Sequence, residues 1–409
     1  MGQLIILMTL CAITFRVTHQ FSQVDPKFVP ALPCNLSACY LPDCRCSSDI
    51  PPGNLVGPNI PQMLLFTFDG AITSTNHPFF DQVFNDRRNP NGAPISVTFF
   101  VTHEFTNYSL VHDLWASGHD IAAHSITYNR NMAYWRTLSE SGWRSEIVDQ
   151  RDQISRFGSL PTSYIKGMRA PYLQMGGNTM FTAMSGSFEW ESSRPTFNQR
   201  VPGLWPYTND YASTQDCLIP PCHNDSFPGF WSFPMINFLS EDLTPCNVLE
   251  ECVPIPRTMA GMYNLLLTNF NDQYQRTRAP LVISTHAAWF LGPPDRPEYA
   301  QRMSGLMQFL DYLGALSDVY VIGISQARAW MQTPTGMPDI DTFVPWREDT
   351  NRVRSCVFPR NCRYSNGTWE RIMSSCIPCP LYYPTLHDPL GIGARYFGND
   401  EGQLIGLID

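Results

Sequence analysis

Residues 63–70 read Met-Leu-Leu-Phe-Thr-Phe-Asp-Gly, an apolar, β-prone run that stops abruptly at an acidic residue. Such a run is typical of a buried strand whose last side chain leaves the core at the carboxyl edge of a sheet. A lone Asp after a strand more often caps the next turn. Here, however, His124, Arg169 and His286 also follow strand-like segments. The pattern therefore predicts that Asp69 belongs to a functional site at the carboxyl ends of the strands.

Strand-like and helix-like segments alternate along most of the chain. The predicted strands are 63–68, 95–101, 120–123, 163–168, 187–190, 230–238, 281–285 and 319–324. The predicted helices are 110–116, 143–157, 178–184, 258–274, 298–313 and 327–331. Repeated βα units of this length predict an α/β fold in which a parallel sheet closes, or nearly closes, into a distorted (β/α) barrel.

The composition limits the classes of function. The chain has 409 residues, of which 43% are hydrophobic and 15% charged, so one large core can form without a division into several domains. The formal net charge is −9 and the sequence pI is about 5.5. Because no basic stripe is present to neutralise phosphates, we expect neither a nucleic-acid partner nor an anionic membrane surface. A neutral substrate fits this charge better.

The N-terminus and the cysteines indicate a secreted, extracellular protein. A short apolar run, too brief to span a bilayer, predicts a signal peptide over residues 1–20. Removal of Cys11 with that segment leaves twelve cysteines in four clusters, which predicts six disulfides in an oxidising compartment. The alternative is a zinc knuckle that uses Cys44, Cys46, Cys376 and Cys379. Sequons for N-glycosylation begin at Asn35, Asn107, Asn224 and Asn366.

The segment after the predicted barrel has a different character. Residues 336–409 show little periodicity, many prolines and four cysteines, so we expect an extension pinned by disulfides to a domain that covers residues 27–335. The basic residues are also unusual, since only Lys27 and Lys166 among 27 are lysine. Arginine stays charged above the lysine pKa of about 10.4, which favours an alkaline site of action. Codon bias or avoidance of lysine-directed proteolysis explains the same composition equally well.

Five short segments follow one another along the chain in a fixed order. They are Thr67-Phe-Asp69, His124-Ser-Ile-Thr-Tyr128, Arg169-Ala-Pro-Tyr172, Trp205-Pro-Tyr-Thr-Asn-Asp210 and Ser284-Thr-His286-Ala-Ala-Trp289. In that order they resemble the five motifs of the polysaccharide deacetylases of carbohydrate esterase family 4. Segments 39–48 and 98–108 look like those of arthropod chitin deacetylases. The extension has four cysteines where a peritrophin-type chitin-binding module has six, so the resemblance is to the single-domain, gut-type branch.

The resemblance implies an acid–base site. Asp69 matches the general base that takes a proton from the attacking water, and Arg169 matches the residue that keeps this carboxylate ionised. His286 matches the general acid that protonates the departing nitrogen. Asp210, or alternatively Glu191, matches the carboxylate that tunes this histidine.

The resemblance also implies a site for the acetyl group. The backbone amide of Tyr172 would help to bind the oxyanion. The side chains of Trp205 and Ile283 would line a pocket for the acetyl methyl group. Chitin or a chito-oligosaccharide is the partner that the resemblance implies, and we expect a monomer.

The metal ligands of the family are incomplete in this sequence. The family pattern holds zinc with a second aspartate after the base and with two histidines, but Gly70 and Tyr128 occupy two of those three positions. Only His124 remains, whereas a catalytic zinc normally needs three protein ligands. Tyrosine is a poor substitute, because its phenol titrates near ~10 and must lose its proton to bind metal. A rebuilt site would have to recruit His77, Asp81 or His119.

Two functional readings follow from this incomplete ligand set. The first is a secreted chitin deacetylase-like protein without a bound cofactor, which has weak or no deacetylase activity and still binds N-acetylglucosamine chains. The second is a divergent chitin or peptidoglycan deacetylase that uses a rebuilt metal site. The first predicts chitin binding that survives a chelator, and the second predicts release of acetate that a chelator stops.

Overall fold

The computed structural model describes residues 29–365 and 367–393. The predicted signal peptide, Lys27 and the sequon at Asn366 lie outside these residues. The strands in the described part are β1 (Gln62–Gly70), β2 (Thr98–Val101), β3 (Asp120–Ala123), β4 (Gly167–Met168), β5 (Trp190–Glu191), β6 (Pro195–Thr196), β7 (Tyr207–Asn209), β8 (Phe227–Ser232), β9 (Met235–Ile236), β10 (Phe238–Leu239), β11 (Pro245–Cys246), β12 (Leu281–Thr285), β13 (Val319–Val321), β14 (Arg360–Ser365) and β15 (Glu370–Ser375).

Helices follow most of the strands of the main sheet. They are α1 (His77–Phe84), α2 (Tyr108–Ala116), α3 (Met132–Thr137), α4 (Glu140–Trp143), α5 (Asp149–Gly158), α6 (Gly177–Met184), α7 (Met259–Tyr274), α8 (Glu298–Gly314) and α9 (Ile324–Gln332). Asn107 caps α2 by accepting hydrogen bonds from the Ser109 and Leu110 amides. Thr258 caps α7 by accepting from the Gly261 amide. None of the helices described combines the length and apolar character needed to cross a bilayer.

The main sheet places β1 at its centre. Its order is β12-β1-β2-β3-β4-β5-β8-β7. On the edge of β1 opposite β12, β13 pairs with the first residues of β1 and β2 pairs with its last residues. All the pairs are parallel except β7 with β8. Because parallel strands place their carboxyl ends at one edge, this sheet brings the predicted site segments to the same side of the molecule.

Two hydrophobic clusters lie on the two faces of this sheet. Met63 and Leu65 point into an inner cluster that also receives side chains from β2, β3, β5, β8, β12 and β13. Leu64, Phe66 and Phe68 point outwards into a larger cluster under the helices. Side chains alternate between the faces of a strand, so this division follows from the period of two. The shared inner cluster shows that the sheet curls into a barrel-like arrangement, which confirms the predicted α/β fold.

The local predictions were right in part. The predicted helix 143–157 is confirmed as a continuous helical segment, made of α4, a π-helical turn at Arg144–Val148, and α5. The predicted strand 163–168 contains a 3₁₀ turn and only the two strand residues Gly167–Met168. Helices α1 and α3 were not predicted, because their few apolar positions are too short a pattern to detect.

Six disulfides connect the described cysteines, as the sequence predicts. The pairs are Cys34–Cys46, Cys39–Cys44, Cys217–Cys222, Cys246–Cys252, Cys356–Cys376 and Cys362–Cys379. The zinc-knuckle alternative is therefore wrong, since all four of its cysteines are in disulfides. Two of these bonds lie in the extension, as predicted, and the extension also has regular secondary structure. It contains the β14–β15 hairpin, whose Ser374 forms a bridge with Asn107 at the start of α2. The domain boundaries stay a prediction.

Candidate active site

Four predicted site residues lie at strand ends of the main sheet. Asp69 is the penultimate residue of β1, and His124, Arg169 and His286 directly follow β3, β4 and β12. The Asp69 Oδ1 atom lies 2.8 Å from Arg169 Nη1, and Asp69 Oδ2 lies 3.8 Å from His124 Nε2. His286 is near enough for its charge and that of Asp69 to shift each other's pKa. The structure therefore brings these four residues together.

Arg169 is the centre of a buried polar network. Besides Asp69, its Nη1 atom donates to Thr67 Oγ1 at 2.8 Å and to Ser284 Oγ at 2.9 Å. Thr67 and Ser284 are register partners on β1 and β12, so both hydroxyls project to the same face of the sheet. The guanidinium also lies 4.0 Å from the centre of the Phe100 ring, a cation–π distance. With no exposed surface of its own, Arg169 fixes Asp69 in one orientation.

The charge state of Asp69 follows from these neighbours. Burial favours the neutral acid, but the Arg169 guanidinium and the imidazoles of His124 and His286 outweigh it and hold the pKa of Asp69 below its ordinary value. Asp69 is therefore a carboxylate near neutral pH. This agrees with the predicted general base, although its catalytic role stays a prediction.

His124 is held in one neutral tautomer. Its Nδ1 atom lies 2.9 Å from the Arg169 carbonyl oxygen, which only accepts, so Nδ1 carries the proton. Burial lowers the pKa of His124 to about 4, despite the nearby Asp69 carboxylate. The Nε2 atom is buried and has no hydrogen-bond partner among the described residues. His124 thus presents one lone pair towards Asp69.

The loop that carries His124 depends on two polar residues that the sequence did not reveal. Gln150 Oε1 accepts from the amides of His124 and Ser125, at 2.8 and 2.7 Å. Glu146 accepts from the Thr127 amide at 2.9 Å and from the Thr127 hydroxyl. Glu146 belongs to the π-helical turn and Gln150 to the first turn of α5. A π-helical turn often occurs at functional sites. Because it shifts the helix out of the 3.6-residue period, the sequence pattern did not predict which side chains of this helix face the His124 loop.

The donor set does not fit the zinc ion of the deacetylase motifs. One imidazole lone pair and one carboxylate oxygen lie near each other, but position 70 has no side chain. Burial and the nearby Asp69 carboxylate raise the pKa of the Tyr128 phenol, so it stays protonated and is a poor ligand. Among the described residues no group of three or more His, Cys, Asp or Glu side chains could hold a metal ion. Residues 29–365 and 367–393 therefore do not supply the three protein ligands that a catalytic zinc normally needs.

The residues predicted for a rebuilt metal site, His77, Asp81 and His119, have other partners in the structure. His77 Nδ1 pairs with Asp81 Oδ2 at 3.1 Å, one turn apart on α1. His119 Nδ1 accepts from the Val97 amide, and burial lowers the pKa of His119 to about 3. None of the three has a contact with Asp69 or His124 in the described structure. In the described structure, these three residues therefore do not add ligands to Asp69 and His124.

His286 pairs with a carboxylate that the sequence did not identify. Glu250 Oε1 accepts from the His286 amide at 2.6 Å, from Thr285 Oγ1 at 2.8 Å and from His286 Nδ1 at 3.3 Å. Asp210 instead accepts from the Gly229 amide, and Glu191 accepts from the Ser193 amide. Glu250, rather than Asp210 or Glu191, is thus the partner of His286. It lies in the loop closed by the Cys246–Cys252 disulfide.

Replacing Glu250 by Gln should lower the pKa of His286. Burial alone disfavours the imidazolium, but hydrogen bonding to Glu250 and the charge of Asp69 raise its pKa above the ordinary value. Such a raised pKa stabilises the fold below the unfolded pKa of about 6.5, and the contribution disappears as the pH rises through the folded pKa. The variant should therefore lose more stability in acid than in alkali. NMR titration of His286 measures the shift directly.

Glu251→Gln is the matched control, because this exposed carboxylate belongs to the same turn and forms no ion pair with His286 in the described structure. Its His286 pKa should equal that of the unmodified protein. If both variants, or neither, shift the pKa of His286, Glu250 does not tune the imidazole.

Trp205 and Ile283, the residues predicted to line an acetyl pocket, belong to different hydrophobic clusters, so that role stays a prediction. Ile283 points outwards into the helical cluster, because its register partner is the outward-facing Phe66. Trp205 belongs to the inner cluster, has no exposed surface and stacks on Trp330 at 6.0 Å. Tyr172 does lie at the site edge, where its ring stacks on Tyr128 at 4.9 Å. Its φ of 57° is a left-handed conformation, a type of local strain that tends to occur at ligand sites.

Comparison with known proteins identifies the family. The model of the family described as polysaccharide deacetylase matches residues 57–185. Chitin deacetylase 8 of Bombyx mori is 37% identical over 374 residues, which cover 88% of this chain and 94% of that protein. The chain belongs to the polysaccharide deacetylase family. Chitin deacetylase 1 of Bombyx mori is 35% identical over 388 residues, which cover 90% of this chain and 70% of that protein.

Solved structures include a family 4 carbohydrate esterase from Streptomyces lividans, at 15% identity and a TM-score of 0.34, which covers 67% of this chain and 96% of that chain. Membership of the polysaccharide deacetylase family, with insect chitin deacetylases as relatives, confirms the resemblance seen in the five motifs. The roles of the individual site residues stay predictions in this polysaccharide deacetylase.

Proposed function

We propose that this chain is a secreted chitin-binding member of the family, with weak or no deacetylase activity. The observation that carries the proposal is the set of side chains at the site. Asp69, Arg169 and His286 lie together at the strand ends, but of the three metal-ligand positions of the family only His124 has a ligand residue. The identity of about a third with insect chitin deacetylases supports N-acetylglucosamine polymers as the ligand.

The retained groups suit an acetamido sugar. The Asp69 carboxylate is an acceptor for an amide N–H, and the 42% exposed His286 side chain is a donor for a carbonyl or hydroxyl oxygen. The stacked rings of Tyr128 and Tyr172 offer an apolar wall beside them. A few polar groups next to an aromatic surface are typical of sites that bind small uncharged ligands.

The same groups are insufficient for rapid amide hydrolysis. A positioned base contributes on the order of 10²–10⁴-fold, and the lowering of the pKa of water from 15.7 to about 7 requires a bound metal ion. Asp69 can accept a proton from water, but no described side chain replaces the metal at the carbonyl oxygen. We therefore expect binding of the polymer with little turnover.

The place of action is part of the proposal. Six disulfides suit an extracellular compartment. The scarcity of lysine suits an alkaline fluid such as that of an insect gut, where arginine keeps its charge. We propose a monomer that associates with chitin in the gut lumen or peritrophic matrix.

A binding assay on purified protein tests the proposal. We expect the protein to sediment with chitin equally well with and without a chelator, to contain much less than one zinc per chain, and to release no acetate from chitin oligomers. Asp69→Asn should weaken sedimentation, because it removes the charged acceptor. One tightly held zinc per chain together with chelator-sensitive release of acetate would refute the proposal.

A further inference from the structure

A second aromatic surface lies outside the four-residue site. It is formed by Phe105, Trp369, Arg371 and Tyr383, and we call it the aromatic patch. Phe105 is 65% exposed and Trp369 is 39% exposed. The Arg371 guanidinium lies 5.7 Å from the centre of each of these two rings. Tyr383 lies 6.2 Å from Trp369, so the four side chains form one continuous surface.

The patch joins the extension to the barrel. Phe105 comes from the loop after β2, whereas the other three residues come from the β14–β15 hairpin and the segment after it. Tyr383 lies against the His103 ring at 5.2 Å, and the His103 Nε2 atom donates to the Pro384 carbonyl at 3.0 Å. The contacts hold the hairpin beside the barrel, so the patch has a fixed geometry.

The loop that carries Phe105 is hydrogen-bonded to the candidate site. The loop that carries Phe105 begins with Thr102, whose amide donates to the Gly70 carbonyl at 3.3 Å. The next amide, that of His103, donates to the Ser125 carbonyl at 3.2 Å. Gly70 and Ser125 directly follow Asp69 and His124. The loop is therefore fixed on both sides to the site, and the patch begins two residues beyond these bonds.

The chemistry of the patch favours an uncharged, ring-shaped ligand. The only cation in it, Arg371, is paired with Glu104 Oε1 at 2.7 Å, so the patch has no uncompensated charge for a polyanion or an anionic membrane. Aromatic faces pack against the apolar faces of rings, while the nearby ion pair offers hydrogen bonds to hydroxyl groups. Sugar rings have both of these features.

We propose that the aromatic patch binds further sugar units of a neutral polysaccharide whose acetamido group lies at Asp69 and His286. The inference rests on the proposed function, because it takes the ligand class from that site. The patch lengthens the binding surface. It therefore increases the affinity for sugar chains long enough to reach it and leaves the affinity for short chains unchanged.

Calorimetric titration with the di- and hexasaccharides of N-acetylglucosamine tests the proposal. The double variant Phe105→Ala/Trp369→Ala should bind the hexasaccharide about tenfold more weakly, since truncation of aromatic anchors at a binding surface commonly costs this much. Its affinity for the disaccharide should not change. Phe358→Ala is the matched control, because Phe358 is an 82% exposed aromatic residue of the same extension outside the patch.

Each of the other results overturns the proposal in a recognisable way. If the double variant and the unmodified protein bind the hexasaccharide equally well, the patch is not a subsite, and the proposed function is unaffected. An equal loss for both sugars shows a general disturbance of the fold rather than a subsite. Binding of neither sugar by the unmodified protein rejects the proposed function as well. A dimer that the double variant dissociates identifies a second copy of the chain as the occupant instead.

Discussion

The double variant Gly70→Asp/Tyr128→His is expected to retain about one zinc ion per chain after dialysis and to release acetate from chitin oligomers. The two changes add a carboxylate next to Asp69 and an imidazole near His124, whose ring centre lies 5.2 Å from that of Tyr128. With His124 they supply the three protein ligands that zinc needs. Metal analysis and an acetate assay measure the two parts of the result separately.

The restored site should cost stability. Gly70 has a φ of 123°, which is unfavourable for a residue with a side chain, although a Cβ there would meet no atom within 4 Å. Such backbone strain costs of order 1–3 kcal/mol. We therefore expect the metal-free double variant to have a lower free energy of unfolding than the unmodified protein, with recovery when zinc is added.

Two single variants separate the strain from the ligands. Gly70→Ala introduces the strain without a carboxylate, and Tyr128→Phe removes the phenol without adding a ligand. Neither should bind zinc, and only Gly70→Ala should be destabilised substantially. If the folded double variant takes up no zinc, then the site has diverged beyond its ligands and the ligand count does not explain it.

The strand-end residues were predictable because two local signals coincide there. Asp69 ends a continuous apolar run, and His124, Arg169 and His286 each follow a β-prone segment, so the parallel topology alone brings them to one edge. The departures at positions 70 and 128 were also predictable, because the residue at a motif position is read directly from the sequence without knowledge of the packing.

Glu250 and Ile283 depend on information that the sequence does not contain. Glu250 reaches His286 across 36 positions, from a loop whose path is set by the Cys246–Cys252 disulfide. The inward or outward direction of Ile283 depends on the register of β12 against β1, and a slip of one residue would reverse it. Local patterns specify neither a long-range contact nor a register.

The hairpin of the extension was missed for a third reason. Its strands Arg360–Ser365 and Glu370–Ser375 contain few apolar residues, so they show no clear alternation. The pairing is supported instead by the Cys356–Cys376 and Cys362–Cys379 disulfides and by packing on the barrel, where the Cys376 amide donates to the Phe157 carbonyl. Cross-links and tertiary contacts therefore replace the pattern that a strand prediction needs.

Replacing Arg169 by Met should lower the free energy of unfolding at neutral pH by about 3–5 kcal/mol, because removal of one partner of a buried ion pair leaves the other charge uncompensated. Asp69, 7% exposed, loses its 2.8 Å partner, and the Thr67 and Ser284 hydroxyls lose the donor that they share. Denaturant unfolding measures the loss.

The pH dependence of this loss should show that the Asp69 charge causes it. In the unmodified protein the lowered pKa of Asp69 stabilises the fold above the unfolded pKa of about 3.9, and this contribution is lost as the pH falls through the folded pKa. Without Arg169, burial dominates and raises the pKa of Asp69 instead. The variant then loses stability as the pH rises above about 3.9, so its deficit should be smaller at acid pH than at neutral pH.

A double-mutant cycle separates the charge from the lost packing. Asp69→Asn/Arg169→Met removes both charges, so it should recover a large part of the stability that Arg169→Met alone loses at neutral pH. If the losses of the two single variants simply add, the destabilisation comes from the contacts of the Arg169 stem and its Phe100 neighbour. Recovery, in contrast, means that Arg169 is required mainly to stabilise Asp69 as a buried carboxylate. The fold alone does not need this buried charge, whereas the proposed binding of ligand does.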